Sequence, residues 1–437
     1  MRIVAIAART VRWPIAGQGA ARGRSERAAV LLEVRSDGGA IGLGEAAPLP
    51  GMSRDTLEQA EAALAAFAKL VPFELAVRDA AHVGAPNPAH VGAPIPAHLT
   101  APVPAHVGAP VPAHLAAPVA AHVGAPVPAH VGAPRVDRGT TYVPDTRTPF
   151  EILDHRAARA FAAAPLAARF AIETALGDAI ARDRGMSLAA LFSPAHVGAP
   201  SRVPLAAVVD DAEAARRAWA AGIRCLKIKL GADDDLDRVI AIARAAPGAT
   251  LRIDANRSWP RGEVAARLAA LAPLRVEYVE EPCRDAHELL RSGPLAGKLA
   301  LDESLSELAL EDLRAALGSP GLAAVILKPT LLGGLSVALE LAALARRAGV
   351  AAVASHALEG PIGTAACAEL ALALGGEHAA GLARHAGLDG WSVEVAQLAD
   401  DHLHPAAAAG LGFEDLDLDG AVGACRTRLV GHGGDLP

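Results

Sequence analysis

Five charged positions recur along this chain at intervals that suit metal and proton chemistry. The string Lys227-Ile228-Lys229 is followed by Asp254-Ala255-Asn256, Glu280-Glu281-Pro282, Asp302-Glu303-Ser304 and Lys328-Pro329. Asp254, Glu280 and Asp302 stand 26 and 22 residues apart. Three carboxylates brought to one point repel one another unless a cation neutralises them. Hard oxygen ligands with room for water and substrate oxygens favour Mg²⁺, with Mn²⁺ as a substitute. Lys229 and Lys328, on either side, suit proton transfer on a substrate held by such a metal. A free lysine titrates near ~10.4, too high for a base at neutral pH. Lys227, two residues before Lys229 and on the same strand face, is the neighbouring cation that lowers it. Arg252 has the same relation to Asp254 and is expected to contact the metal site or the substrate. A lone Asp or Lys at a strand end is ordinarily a cap or a surface charge. Five on five successive strands are not.

The elements that must position these residues are read from the rhythm of the chain. From Pro204 onward short apolar runs alternate with helical spacing. Strands are expected at Pro204–Val209, Cys225–Leu230, Thr250–Ala255, Val276–Glu281, Leu299–Glu303, Ala323–Lys328, Ala351–Ser355 and, faintly, Ala379–Leu382. Strand-plus-helix units repeating at this spacing read as an α/β fold, a (β/α)₈ barrel whose active site lies at the C-terminal strand ends. A doubly wound sheet competes, but no G-x-G-x-x-G follows any strand. Upstream, Arg2–Val11, Ala28–Arg35 and Ala40–Glu45 read as antiparallel strands, with a Gly/Arg-rich connection at Gly17–Arg24. Ser53 is expected to cap a helix, and Ala157–Arg184 to form one alanine-rich helix. The expected domains are therefore 1–200 (α+β), 201–400 (barrel) and 401–437, a C-terminal segment packing back on the first.

Between Ala81 and Pro134 an octapeptide repeats (AHVGAPNP, AHVGAPIP and variants), and a fragment of it recurs at Pro194–Pro200. Proline and glycine at this density exclude a regular helix or central strand. The plain reading is a surface insertion at about 80–136. The sharper one is metal binding by His82, His90, His98, His106, His114, His122 and His130, though nothing arranges these around one point.

Composition excludes more than it selects. No run of about 18 residues has the unbroken apolar character of a membrane span, and Met1–Thr10 does not read as a signal peptide. A net charge of −7 argues against a nucleic-acid partner. Four scattered cysteines without a C-x-x-C pair suit a reducing cytoplasm. A cytoplasmic protein without membrane or nucleic-acid partners, acting on a small carboxylate, is expected. The oligomeric state stays open.

The order K-x-K, D-x-N, E-E-P, D-E-S, K-P resembles the muconate-lactonizing branch of the enolase superfamily. RIDANRSW (Arg252–Trp259), VEEPC (Val279–Cys283), LDES (Leu301–Ser304), LKPTLLGG (Leu327–Gly334) and GEAAPLPGMS (Gly44–Ser53) resemble most the o-succinylbenzoate synthase family. The resemblance implies a modified, enolase-type barrel with an N-terminal α+β capping domain, and Gly44–Ser53 as a loop over the substrate. It implies Mg²⁺ on Asp254, Glu280 and Asp302, with these chosen over the adjacent Glu281 and Glu303 by the family pattern. It further implies Lys229 as base, Lys328 as the group stabilising charge from the other side, and a metal-stabilised enediolate on the way to dehydration in menaquinone biosynthesis. Asn256 and Glu281 would orient the ligands. Ser355 and the backbone N–H groups from Gly360 to Gly363 would hold the succinyl arm, with Gly381–Leu382 closing the pocket. His356 departs from the all-serine form of that loop. Two alternatives remain: an N-acylamino-acid racemase or dipeptide epimerase on the same frame, or an inactive barrel scaffold with the repeat as an interaction arm. The Asp-x-Asp expected of a dipeptide epimerase after the last strand is absent from Gly381–Gly390.

Overall fold

The computed structural model describes residues 1–15, 25–78, 148–193, 202–231, 236–291, 295 and 297–426. The octapeptide repeat and its histidines, the Pro194–Pro200 fragment, the Gly17–Arg24 connection and the end of the 401–437 segment lie outside the described residues.

The first three N-terminal strands pair as a meander. β1 (Arg2–Pro14), β2 (Glu26–Ser36) and β3 (Ile41–Ala46) are antiparallel, and β4 (Phe73–Val77) and β5 (Phe150–Ile152) extend the sheet in the order β3-β2-β1-β4-β5. Helix α1 spans Leu57–Ala68 rather than beginning at Ser53. Thr56 and Gln59 form a reciprocal capping box there, while the Ser53 hydroxyl accepts the Leu49 N–H in the preceding turn. The single helix expected over Ala157–Arg184 is two, α2 (His155–Ala163) and α3 (Leu166–Asp183). Pro165 splits them: it lacks an N–H and pushes Ala164 out of the helical region, to ψ 145°.

Helix α3 is buried on nearly every face. Against β3 it comes so close that a Cβ on Gly42 or Gly44 would lie 2.0 Å from the carbonyl oxygens of Ala175 and Ala171. Its carboxylates are used as internal caps. Glu173 accepts the N–H groups of Leu335 and Ser336, and Asp178 those of Leu43 and Leu411. These bonds join the N-terminal sheet to the remainder of the fold.

After α4 (Leu188–Phe192) and the short β6 (Val203–Pro204), the chain alternates strand and helix. The elements are β7 (Ala206–Val208), α5 (Ala212–Ala220), β8 (Cys225–Lys229), α6 (Leu236–Ala245), β9 (Thr250–Asp254), α7 (Val264–Leu271), β10 (Val276–Glu280), α8 (Ala286–Leu289) and β11 (Leu299–Leu301). Then follow α9 (Leu310–Leu317), β12 (Leu322–Leu327), α10 (Pro329–Leu332), α11 (Leu335–Arg347), β13 (Ala351–Ala354) and α12 (Pro361–Ala373). Strands β7 to β13 form one parallel sheet in chain order. The eighth strand expected at Ala379–Leu382 forms no ladder. Single parallel bridges, Leu205 to Ala380 and Ser355 to Gly381, place that segment between the sheet's first and last strands. Inside, Tyr278, Ala300, Ala324, Ile326 and Val353 make an apolar layer. Two positions beyond Tyr278, Ala300 and Ile326 stand the charged Glu280, Asp302 and Lys328.

The segment beyond residue 400 contributes β14 (His402–Leu403), paired with β6, and α13 (Leu418–Ala424). At the start of α13 the Leu418 N–H is donated to Glu33 of β2. No helix among the described residues is long and apolar enough to cross a membrane.

Candidate active site

Because neighbouring parallel strands run in register, Lys229 lies beside Asp254, and Asp254 beside Glu280. Burial leaves Asp254, Glu280 and Asp302 almost no contact with solvent. The Lys227 ammonium donates to both carboxylate oxygens of Glu280 at 2.8 Å and stands 2.9 Å from Asp254 Oδ2. Lys229 is held more loosely, 3.7 Å from the same Asp254 oxygen. Lys328 pairs with Asp302. The five residues, with Lys227, thus form one cluster of three carboxylates and three ammoniums at the barrel mouth.

The three lysines are tuned apart. Burial opposes the charge on Lys227, yet Asp254, Glu280 and Asp302 outweigh it and hold that ammonium well above the ordinary range. Lys328 is likewise raised, burial being overcome by Asp302 and Glu280. Lys229 alone is lowered: burial leads, Asp254 works against it, and the neighbouring Lys227 and Lys328 add to the depression. Among the carboxyls, burial and then Asp254 push Glu280 up to about 7. Of the three lysines, Lys229 is the one disposed to lose its proton.

Among the described residues no group of three or more His, Cys, Asp or Glu side chains is gathered to hold a metal as it stands. Lys227 fills the space between Asp254 and Glu280, and Lys328 lies against Asp302. The donor chemistry nevertheless fits a hard divalent ion. Three buried carboxylates on adjacent strands already require cations to neutralise them, a role the ammoniums fill here.

The support beneath the cluster was only partly visible in the sequence. Asn256 donates its N–H to Asp254 at 3.1 Å. The Glu281 carboxylate accepts the N–H groups of Asp302 and Ser304, each at 2.9 Å, the Ser304 hydroxyl, and the Arg257 guanidinium. Arg257 also bridges to Glu307. Asn256, Arg257 and Glu281 all take positive φ (46°, 60° and 41°), strain that these bonds over-determine. Arg257 and Ser304 were not singled out as site residues, although both lie inside the strings Arg252–Trp259 and Leu301–Ser304.

Three expectations are corrected. Arg252 does share a face with Asp254, but it sits one layer lower. It bonds Glu277 and the Ala379 carbonyl and lines a cavity at the opposite end of the barrel with Cys225 and Thr250. The N–H groups of Gly360 and Gly363 are not free for a substrate carboxylate, because Glu45 of β3 accepts them at 2.6 and 2.8 Å. Ser355 donates its hydroxyl to the Gly381 carbonyl at 3.1 Å, so that proton is spent on closing the barrel, and Gly381 with it. Above them, Leu49 and Met52 of the loop after β3 pack on Leu331, Ala357 and Leu358.

Glu45 gives a pH prediction. Burial raises its carboxyl from 4.5 to about 7, against the two N–H bonds that favour the anion. The folded state therefore binds more protons than the unfolded state between those values, and stability falls as pH rises through that window. A Glu45→Gln variant should lose this contribution. Thermal melts from pH 5 to 7.5 will show a downward slope that is shallower in the variant by up to about 3 kcal/mol, since Glu280 and Glu369, also raised to about 7, keep their share of it in both proteins. Equal slopes would mean that Glu45 is ionised throughout.

Residues 210–417 match the family model described as enolase C-terminal domain-like. That stretch belongs to the enolase superfamily. The parallel sheet and the antiparallel N-terminal sheet match an enolase-type barrel with an N-terminal capping domain. The o-succinylbenzoate synthase of Yersinia pseudotuberculosis serotype O:3 (strain YPIII) is 35% identical over 159 residues, covering 34% of this chain and 47% of that protein. The same enzyme of Yersinia pestis gives the same figures. The chain thus spans about half the length of the curated relatives it matches. Among solved structures, the dipeptide epimerase from Methylococcus capsulatus, complexed with Mg and the dipeptide L-Arg-D-Lys, superposes with a TM-score of 0.63. It is 24% identical and covers 94% of this chain and 99% of its own. The muconate lactonizing enzyme from Klebsiella pneumoniae gives a TM-score of 0.65 at 20% identity, over 97% and 99%. At these identities the likeness is one of fold. The family likeness supports an enzyme that binds a divalent metal, for which Asp254, Glu280 and Asp302 could supply oxygen donors.

Proposed function

We propose that this chain is an o-succinylbenzoate synthase of menaquinone biosynthesis, acting in the cytoplasm. It would convert 2-succinyl-6-hydroxy-2,4-cyclohexadiene-1-carboxylate to o-succinylbenzoate by loss of water. The observation that carries the chemistry is the unequal tuning of the lysines: one depressed, Lys229, and two held charged, Lys227 and Lys328, around three carboxylates. The likeness to o-succinylbenzoate synthases favours this reaction over others on the same frame.

Lys229, neutral, takes the proton alpha to the ring carboxylate. The electron pair released from that C–H bond develops as negative charge on the carboxylate, where the Lys328 ammonium faces it. Lys229, now protonated, returns the proton to the hydroxyl as its C–O bond breaks, so that water leaves and the ring becomes aromatic. Asp254, Glu280 and Asp302 would hold Mg²⁺, with Mn²⁺ as a substitute, which would supply Lewis-acid stabilisation of the substrate carboxylate. Asn256, Glu281 and Arg257 keep the ligand carboxylates oriented.

An N-acylamino-acid racemase or dipeptide epimerase is the second reading. Lys229 and Lys328 stand at strand ends with three strands between them and could add and remove a proton on opposite faces. Ultraviolet assay of the purified protein with the cyclohexadiene tests the first reading. Fast conversion that EDTA abolishes supports it. No conversion by folded, metal-binding protein moves the racemase reading forward.

A further inference from the structure

His356 stands where the barrel's seventh strand opens into its loop, and the structure gives its ring a defined setting. Its Nδ1 accepts the N–H of Leu358, two residues on, at 3.1 Å. An accepting Nδ1 leaves the ring proton on Nε2. One face of the ring stacks on His385, with centroids 3.7 Å apart and planes 14° from parallel. His385 is built the same way, its Nδ1 accepting the Gly387 N–H and its Nε2 meeting the Thr364 hydroxyl. His356 differs in that its Nε2 takes no partner among the described residues, and its side chain keeps some exposure while residues 357–360 are buried. The ring also lies within the field of Lys328, Lys229 and Lys227, which adds to burial and to His385 in keeping it uncharged.

The loop that carries it is anchored from the N-terminal sheet. Arg27 of β2 donates to the carbonyls of Leu358 and Ala357 on this loop and to those of Ala47 and Pro48 on the loop after β3. Leu358 itself takes a φ of 61°. The imidazole is thus fixed in tautomer, ring plane and position before any ligand arrives.

We propose that His356 is a specificity-determining residue whose Nε2–H donates to the acyl carbonyl oxygen of the substrate, on the arm remote from the carbon that Lys229 deprotonates. The substrate class this selects is a carboxylate whose neighbouring atom bears an acyl group. In the synthase reading that oxygen is the succinyl ketone, and the proposal rests on that reading for the identity of the arm. An uncharged donor suits an uncharged acceptor here, because the carboxylates of the ligand have the lysines to answer them. A missing partner for a buried carbonyl oxygen costs about tenfold in affinity.

Two measurements on the full chain test this. Long-range ¹H–¹⁵N correlation should show Nε2 protonated and Nδ1 bare at His356, and a protonated Nδ1 overturns the proposal. Calorimetry in the presence of Mg²⁺ then compares two probes, o-succinylbenzoate and 2-(3-carboxypropyl)benzoate, the same diacid without the ketone. Wild type should prefer the ketone about tenfold. His356→Phe, which keeps the stacked ring, should lose that preference, and His356→Gln, which keeps a donor, should retain most of it. An undiminished preference in His356→Phe overturns the proposal. Turnover of the cyclohexadiene without a His356-dependent preference sinks this inference and leaves the synthase reading intact. A His356-dependent preference without turnover does the reverse. Folded wild type that binds neither probe overturns both.

Discussion

Lys229→Ala will lower turnover by about 10³-fold or more, while the protein stays folded and still binds a divalent metal. The expectation follows from the contrast among the three lysines. Lys227 is locked by contacts at 2.8 and 2.9 Å to two carboxylates, and Lys328 is paired with Asp302; both are held charged by those partners. Lys229 has one looser partner at 3.7 Å and is the only one of the three whose ammonium is disfavoured. A base must be able to give up its proton near working pH, and neither Lys227 nor Lys328 can substitute. Steady-state assay with the cyclohexadiene, alongside a melting curve, checks this. A variant that turns over at a near-normal rate would show that Lys229 is not the base.

The second large effect is expected at Glu280. In the wild type a saturating divalent metal should raise the melting temperature, because a ligand at 100 times its Kd adds about 2.7 kcal/mol to folded-state stability. Glu280→Gln should abolish that rise, together with activity. Without metal the variant should be as stable as the wild type or more so. Glu280 is wholly buried between Asp254 and Asp302, and its carboxyl titrates at about 7, so a neutral isostere relieves repulsion that no metal is there to offset. Lys227 keeps Asp254 as a partner. Melts with and without Mg²⁺, and with EDTA, separate the two effects. An undiminished metal shift in the variant would remove Glu280 from the ligand set.

The chain's own spacing determined the barrel and the identity of its charged tips. A parallel strand followed by a helix consumes about one unit of sequence, and strands that are adjacent in the chain are adjacent in the sheet. Residues one unit apart, such as Asp254 and Glu280, must therefore meet. Alternation along a strand likewise separates Glu280, facing the cluster, from Glu281, which turns to the N–H groups of Asp302 and Ser304. The same alternation placed Arg252 on the correct face but could not give its depth. Two residues of strand are about 6.6 Å, enough to move a side chain from the mouth to the layer below.

What only the tertiary structure decided lies between segments far apart in sequence. Glu45 reaches Gly360 and Gly363, and Arg27 reaches Ala357 and Leu358, across more than 300 residues. No local periodicity encodes such a pairing, because it depends on how the N-terminal sheet seats against the seventh-strand loop. The cradle of N–H groups at the start of α12 was legible as a site for an anion. That the protein's own carboxylate occupies it followed from packing alone. The same holds for the stacking of His356 on His385, which joins two loops whose approach is set by the closure of the barrel through Ser355 and Gly381.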